Sequence, residues 1–249
     1  MNESKPDSVY FFGTCLVDLF YPEAGLAGMQ LIEREKVRVI FPQGQSCCGQ
    51  PAWNAGYRDE ARAVAAAQLG LFSRAIPIVV PSASCAGMMK EHYPALFRGT
   101  PQEAQALSVA QRVVELTAFL VDVLDIRLED LGEPQRVAIH SSCSALREMG
   151  VGDRIESLVG QLGQVEKVEQ AYKRECCGFG GTFAVKQPEI SGAMVADKTD
   201  SIRQTGADIL VSQDCGCLMN IDGAFGKQED GPRCLHIAEF LWERTRADD

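Results

Sequence analysis

The cysteines of this chain fall into one pattern used twice. Cys15 stands alone and is followed by the adjacent pair Cys47 and Cys48 with Gly49, then by Cys85. Cys143 stands alone and is followed by Cys176 and Cys177 with Gly178, then by Cys217. The gap from lone cysteine to pair is 31 residues in the first set and 32 in the second; from pair to last cysteine it is 36 against 39. The sets are offset by 128 residues at the first cysteine (143 less 15) and by 132 at the last (217 less 85). A register kept over that distance is a duplication, and one long period means two tandem units rather than a solenoid. Thiolates carried on three loops suit a metal ion or an iron–sulfur cluster better than a disulfide framework.

Apolar runs repeat with the cysteines. Val9–Gly13 reads as a strand running into Cys15, Val37–Phe41 as a strand leading to Cys47, and Ile76–Val80 as a strand ending near Cys85. Helical stretches lie between them, near Glu23–Glu35 and Ala52–Leu71, with another after Cys85. In the second half Val137–His140, a weaker Val165–Val168 and Asp208–Val211 lead to Cys143, Cys176 and Cys217, with helices near Arg154–Leu162 and Pro188–Thr205. Even the closing segments Leu116–Leu120 and Ile237–Leu241 echo each other. Alternating strands and helices predict an α/β fold of two pseudo-symmetric halves, 1–132 and 133–249, divided where Gly132-Glu133-Pro134-Gln135 precedes a new strand. Each half should hold a mostly parallel sheet flanked by helices, joined by right-handed crossovers.

In that architecture every cysteine of the pattern follows a strand and precedes a helix. It therefore lies at the carboxyl edge of its sheet, where ligands bind in open α/β folds. Helix N-termini at that edge offer free N–H groups and partial positive charge, which favour the thiolates that metals require.

Composition narrows the chemistry further. At 249 residues with a formal net charge of −10, the chain lacks the basic surface that a nucleic-acid backbone demands. The start is polar, and the apolar runs fall far short of the ~20 residues of a membrane span. The expected compartment is the cytoplasm, where many cysteines point to metal or redox chemistry.

The segments around these cysteines carry a specific resemblance. Thr14-Cys15-Leu16-Val17-Asp18, Cys47-Cys48-Gly49-Gln50-Pro51-Ala52 and Pro81-Ser82-Ala83-Ser84-Cys85 resemble the cysteine-rich CCG-domain family. So do Cys176-Cys177-Gly178-Phe179-Gly180-Gly181-Thr182-Phe183 and Asp214-Cys215-Gly216-Cys217-Leu218-Met219-Asn220. That family includes the heterodisulfide reductase B subunit and the glycolate oxidase iron–sulfur subunit, and the match tightens to its lactate-utilization branch. The resemblance implies an oxidoreductase subunit that transfers electrons in the oxidation of L-lactate to pyruvate. It also implies two partner subunits, at least one of them an iron–sulfur protein. The implied cofactors are iron–sulfur clusters of the [4Fe–4S] type, which can be lost on aerobic purification. Cys15, Cys47, Cys48, Cys85, Cys143, Cys176, Cys177 and Cys217 are the implied metal ligands, and Cys215 is a further candidate. One departure is visible. The heterodisulfide reductase branch uses C-x-x-C in the third segment, giving five ligands, whereas this chain has Ser82 and Asp214 at the upstream positions. Four thiolates suffice for an ordinary [4Fe–4S] cluster.

Other residues read less sharply. Cys234 has no partner in the first half and belongs in the core. His140, three residues before Cys143, reads as a hydrogen-bonded core histidine, with a donor to cluster sulfur as the alternative. His236 opens the last helix as a cap or interface residue, and His92 reads as a solvated surface residue. Trp53 and Tyr57 either shield a cluster or fill a helix core. Gly178-Phe179-Gly180-Gly181-Thr182 fails the nucleotide pattern, because Phe183 stands where a glycine is required. Three function classes stay open: the lactate-oxidising electron-transfer subunit, a thiol–disulfide reductase of the heterodisulfide type, and a zinc-stabilised scaffold.

Overall fold

The computed structural model describes residues 5–227 and 231–247. The first half runs β1 (Ser8–Phe11), α1 (Cys15–Phe20), α2 (Pro22–Arg34), β2 (Arg38–Ile40), α3 (Gln50–Asn54), α4 (Arg58–Leu69) and β3 (Ile78–Val80). It continues with α5 (Ala83–Gly87), a wide turn over Met88–His92, α6 (Tyr93–Leu96), α7 (Glu103–Arg112), β4 (Val113–Glu115) and α8 (Leu116–Ala118), which runs into a wide turn at Phe119–Val123. The second half opens with β5 (Gln135–His140), a wide turn over Ser144–Glu148, α9 (Gly152–Val159), β6 (Val165–Val168), α10 (Phe183–Lys186) and α11 (Pro188–Arg203). It closes with β7 (Ile209–Ser212), α12 (Cys215–Gly226), β8 (Arg233–His236) and α13 (Ile237–Thr245).

Two four-stranded sheets result, ordered β2-β1-β3-β4 and β6-β5-β7-β8, with every pairing parallel. The expected α/β architecture of two tandem parallel-sheet halves is therefore the observed one. The central strands are buried on both faces, as Val9, Phe11, Ile78, Val79, Val80, Leu210 and Val211 are. That is why they read as unbroken apolar runs. The edge strand β6 instead exposes Glu166 and Lys167, charges that discourage further pairing at a free edge.

The structure departs from the sequence reading in two places. β4 and β8 are additional strands: β4 pairs through Val79 with Val114, and β8 through Val211 with Leu235. Each is three or four residues long and carries a charged residue, so neither displays an apolar run. The single helix expected over Ala52–Leu71 is two. Gly56 takes φ +86, its N–H returns to Trp53 O at 3.0 Å, and Tyr57 N–H returns to Ala52 O at 2.9 Å. A glycine in the left-handed region closes α3 this way before α4 begins.

The halves share one core. α2 buries Ala24, Ala27, Leu31 and Ile32, one face at helical spacing, and packs against α13 of the second half. Arg34 of α2 donates to Thr245 Oγ1 at 2.8 Å. In the mirrored arrangement α9 packs on α8 and the turn after it, and Arg154 meets Asp122 at 3.1 Å. Leu31, Phe119, Ile155 and Phe240 belong to one continuous cluster, and each such side chain removed from water stabilises the fold by roughly 1.5–3 kcal/mol.

The two strands that end at this junction carry buried caps. His236 Nδ1 accepts from Ala238 N–H at 3.1 Å and caps α13, while its Nε2 bonds Pro81 O of the other half at 2.8 Å. Glu115 stands at the equivalent position and accepts from Thr117 Oγ1 at 2.5 Å and from Ala118 N–H at 3.1 Å. Burial pushes the Glu115 carboxyl up to about 7 from an ordinary 4.5, against the pull of those hydrogen bonds and with help from Asp214. Between these values the folded chain holds a proton that the unfolded chain has released. Stability from this group is thus full below pH ~4.5 and lost as pH rises to ~7, by on the order of 3 kcal/mol. Glu115→Gln keeps an acceptor for the cap and cannot ionise. Urea unfolding at pH 5 and at pH 7.5 should show the variant gaining on the wild-type chain at the higher pH; an unchanged difference between the two would refute the assignment.

Candidate functional site

Both cysteine sets come together at the carboxyl edges of the sheets, one per half. In the first, Cys15 is the first residue of α1, capped by Thr14 Oγ1, which accepts from Val17 N–H at 3.3 Å. Cys47 and Cys48 lie on the loop before α3, and Cys85 lies within α5. The thiols form a contact chain: Cys15 touches Cys47, Cys47 touches Cys48, and Cys48 Sγ lies 3.2 Å from Cys85 Sγ. In the second set Cys143 touches Cys176, Cys176 touches Cys177, and Cys177 touches Cys217. All ten cysteines of the chain are free thiols. Cys48, Cys177 and Cys217 are buried, while Cys15, Cys47, Cys143 and Cys176 keep partial access to solvent.

The electrostatics match in the two sets. Hydrogen bonds from Cys15, from Cys48 and from the Gly49 amide draw the Cys47 thiol below its usual range. Cys143, Cys177 and the Gly178 amide do the same to Cys176. The same contacts push Cys15, Cys48, Cys143 and Cys177 up. Thiols this crowded cannot all ionise alone. A cation or cationic cluster among them removes that conflict, since metal binding displaces the protons.

The glycine after each pair is required by geometry. Gly49 has φ +90 and Gly178 φ +85, and their N–H groups point at Cys47 Sγ and Cys176 Sγ, each at 3.4 Å. A Cβ on Gly49 would lie 3.0 Å from Ala61 O, and one on Gly178 2.8 Å from Ser191 O. Gly178→Ala therefore combines a left-handed conformation with a backbone clash and should cost about 1–3 kcal/mol. Thermal unfolding with a thiol-accessibility assay reads the result; stability within 0.5 kcal/mol of wild type would mean the loop adapts freely (about the scatter of neutral surface changes).

Asp214 ties the two sites to each other. It caps α12 by accepting from Gly216 N–H at 3.2 Å, and it accepts from Ser84 N–H of the first half at 2.9 Å. One buried carboxylate so holds the helix starts that carry Cys85 and Cys217. Where the five-cysteine pattern has a thiol, this chain has a structural cap. Ala83 N–H to Gln213 O and Thr182 Oγ1 to Pro51 O complete the junction. The cavity beside Cys143, Cys176 and Cys217 is accordingly lined by Gln50, Asn54 and Ser84 from the other half. The first set opens on a cavity of about 360 Å³ lined by Thr14, Asp18, Phe41 and Gln45.

Cys215 stands outside both contact chains. It is fully buried in the first turn of α12, its electrostatic neighbours are Asp214, Glu239, Cys85 and Cys217, and burial pushes its thiol up. Cys234 is half-buried on β8, with its thiol directed at Pro232 O. His140 is a correction to the sequence reading. It is fully buried, but neither ring nitrogen has a hydrogen-bond partner, and burial pushes the imidazole down to about 3. His92 is not simply solvated, since its ring stacks on Trp53 at 4.8 Å. Trp53 is in turn covered by the Arg58 guanidinium at 3.4 Å, while Tyr57 is exposed beneath Lys186. The sequence reading missed Tyr93 and Asn220, whose side chains bond Cys48 O at 3.0 Å and Cys177 O at 2.8 Å. It also missed Lys198, a buried cation facing the second set. Nothing in the local pattern around Lys198 sets it apart from a surface lysine.

Comparison with known proteins agrees with this geometry. The cysteine-rich domain model CCG matches residues 9–90 and again 137–222. Lactate utilization protein A of Geobacillus kaustophilus is 45% identical over 240 residues, covering 95% of this chain and 99% of that one. Its counterpart in Bacillus subtilis is 41% identical over 239 residues, with 95% and 99% covered. A crystal structure of a hypothetical protein from Helicobacter pylori superposes with a TM-score of 0.67 at 10% identity, over 98% of this chain, and this chain spans half of that one's length. That likeness concerns the fold alone. The chain belongs to the cysteine-rich CCG-domain family, in the branch of lactate utilization protein A.

Proposed function

We propose that the chain, with one CCG repeat over 1–132 and another over 133–249, is an iron–sulfur electron-transfer subunit of a multi-protein system oxidising L-lactate to pyruvate. The carrying observation is the quartet of contacting free thiols that occurs twice, at helix starts, with a glycine amide aimed at the central sulfur. Cys15, Cys47, Cys48 and Cys85 would hold one cluster, and Cys143, Cys176, Cys177 and Cys217 the other. The donor set fits: four thiols each, reachable N–H groups, and an apolar surround that keeps water from the inner sulfurs. A cluster of this kind supplies one-electron transfer. Gly49 and Gly178 amides would stabilise the reduced form, and the Asp214 bridge would fix the spacing of the two sites. The relatives' names supply lactate as the substrate of the system. Removal of two electrons from lactate usually calls for a hydride acceptor, and the sequence contains no flavin or nicotinamide motif. Two partner subunits, at least one of them an iron–sulfur protein, are therefore part of the reading.

Anaerobic purification followed by iron and sulfide analysis and EPR tests the cofactor. The chain alone should reduce little dye with lactate, and should support that activity when co-expressed with its partners. A strain lacking the chain should grow slowly on L-lactate and normally on glucose. Zinc in place of iron, or normal lactate oxidation in a deletion strain without a second lactate dehydrogenase, would overturn the proposal. No helix among the described residues is long and apolar enough to cross a membrane, and action in the cytoplasm is part of the same proposal.

A further inference from the structure

The two sites differ in the residues behind the thiols. Cys143 is preceded by three residues by His140, and Cys15 by Phe12. Both side chains are fully buried, His140 as the last residue of β5 and Phe12 just past the end of β1. Phe12 packs against Phe72 and asks for no partner. His140 has two polar nitrogens, neither of them bonded. Leaving both unpaired in the interior is costly, so such a group ordinarily marks a ligand or a water that completes it. One of these nitrogens, Cys177 Sγ and Cys217 Sγ all lie within 4.8 Å of one another, which is the spacing of donors around one metal.

A second substitution points the same way. Gly49 abuts Ala61 O and Gly178 abuts Ser191 O, so these helix positions correspond. Seven residues further on stand Gln68 in the first half and Lys198 in the second. Gln68 is neutral and bonds Ser46 N at 3.1 Å and Ser46 Oγ at 2.6 Å. Lys198 donates to Tyr172 O at 2.8 Å, and its charge acts on Cys177, Cys217 and Cys176. The second site thus has an imidazole and a buried cation where the first has a phenyl ring and an amide.

We propose that His140 is a nitrogen ligand of the metal centre at the second site, making that centre a mixed thiolate–imidazole one beside an all-thiolate first site. The inference rests on the reading that the second quartet holds a cluster. The neutral imidazole would complete the donor set without adding negative charge, and the Lys198 cation facing Cys177, Cys217 and Cys176 would offset the charge of the thiolates, which raises the site's reduction potential above that of the first.

The test uses the full chain carrying Cys48→Ser to silence the first site, grown with imidazole-¹⁵N histidine, isolated anaerobically and reloaded with iron and sulfide. Pulsed EPR should show a directly bonded ¹⁵N. The three histidines of the chain make the signal assignable, because His236 is already bonded to Pro81 O and Ala238 N–H and His92 lies against Trp53. His140→Phe, which copies the first half, and His140→Gln, which keeps a polar side chain, should both lose the coupling and shift the site's midpoint potential. They should also release iron several-fold faster to a chelator. A loaded second site without ¹⁵N coupling, or with potential and iron release unchanged in both folded variants, overturns the ligand assignment alone. A second site that takes up no iron overturns the cluster reading as well.

Discussion

Cys48→Ser is expected to lose about half of the bound iron, the share of one of two four-iron clusters, and to leave the other half in place. Cys48 is 1% exposed and occupies the interior of its contact chain, touching Cys47 on one side and Cys85 at 3.2 Å on the other. A serine oxygen is a harder and weaker donor to iron than a thiolate, and burial leaves no water path by which another ligand could replace it. Cys177→Ser should do the same to the second site, since Cys177 holds the equivalent position between Cys176 and Cys217. With partner proteins present, lactate-dependent dye reduction should fall to background in both variants if, as proposed, the two sites relay electrons in series. Iron and sulfide per chain, EPR and activity measured on the same preparation check this. Both variants retaining full iron would mean that the quartets are not the ligand sets.

Arg244→Met is expected to destabilise the fold by about 3–5 kcal/mol, the usual cost of breaking a buried ion pair from one side. Arg244 on α13 and Asp130 on the crossing between the halves have side chains only 5% and 4% exposed. Arg244 Nε donates to Asp130 Oδ1 at 2.8 Å, and Nη1 donates to Glu133 O at 2.5 Å. Asp130 also accepts from Gly132 N–H at 3.2 Å and Gln164 N–H at 2.7 Å. The guanidinium fills the space at Gly132 where a Cβ would sit 2.4 Å away. Removing Arg244 leaves a buried carboxylate with only neutral donors, and the crossing segment loses its anchor. Urea unfolding of Arg244→Met, Asp130→Asn and the double variant should show a double-variant loss smaller than the sum of the singles. A single-variant loss under about 1 kcal/mol would place this pair with ordinary surface bridges.

Much of this was legible in the residues. The twofold spacing of Cys15, Cys47, Cys48 and Cys85 with Cys143, Cys176, Cys177 and Cys217 survives in the structure as two equivalent contact chains. The runs Val9–Phe12 and Ile209–Val211 announced central parallel strands, because a strand buried on both faces has nowhere to place a polar residue. β4 and β8 were hidden, since three or four residues that include Glu115, Arg233 and His236 pair only because β3 and β7 offer an open edge. The break at Gly56 was hidden in an alanine-rich stretch whose propensity alone favours one helix.

The sequence by itself determined the duplication, the parallel sheets and the placement of thiols at strand ends. Those features depend on local periodicity and on residue type, which a linear reading preserves. Only the tertiary structure decided what each buried face meets. It exchanged helices so that α2 packs on α13 and α9 on α8, and it made Asp214 a bridge from α12 to Ser84 of the other half. It also brought His140 beside Cys177 and Cys217 with no other partner for its ring. The physical reason is that the partner of a buried polar atom is chosen by elements far away in sequence. An aspartate written before Cys-Gly-Cys, or a histidine written at the end of a strand, carries no mark of which remote group it will face.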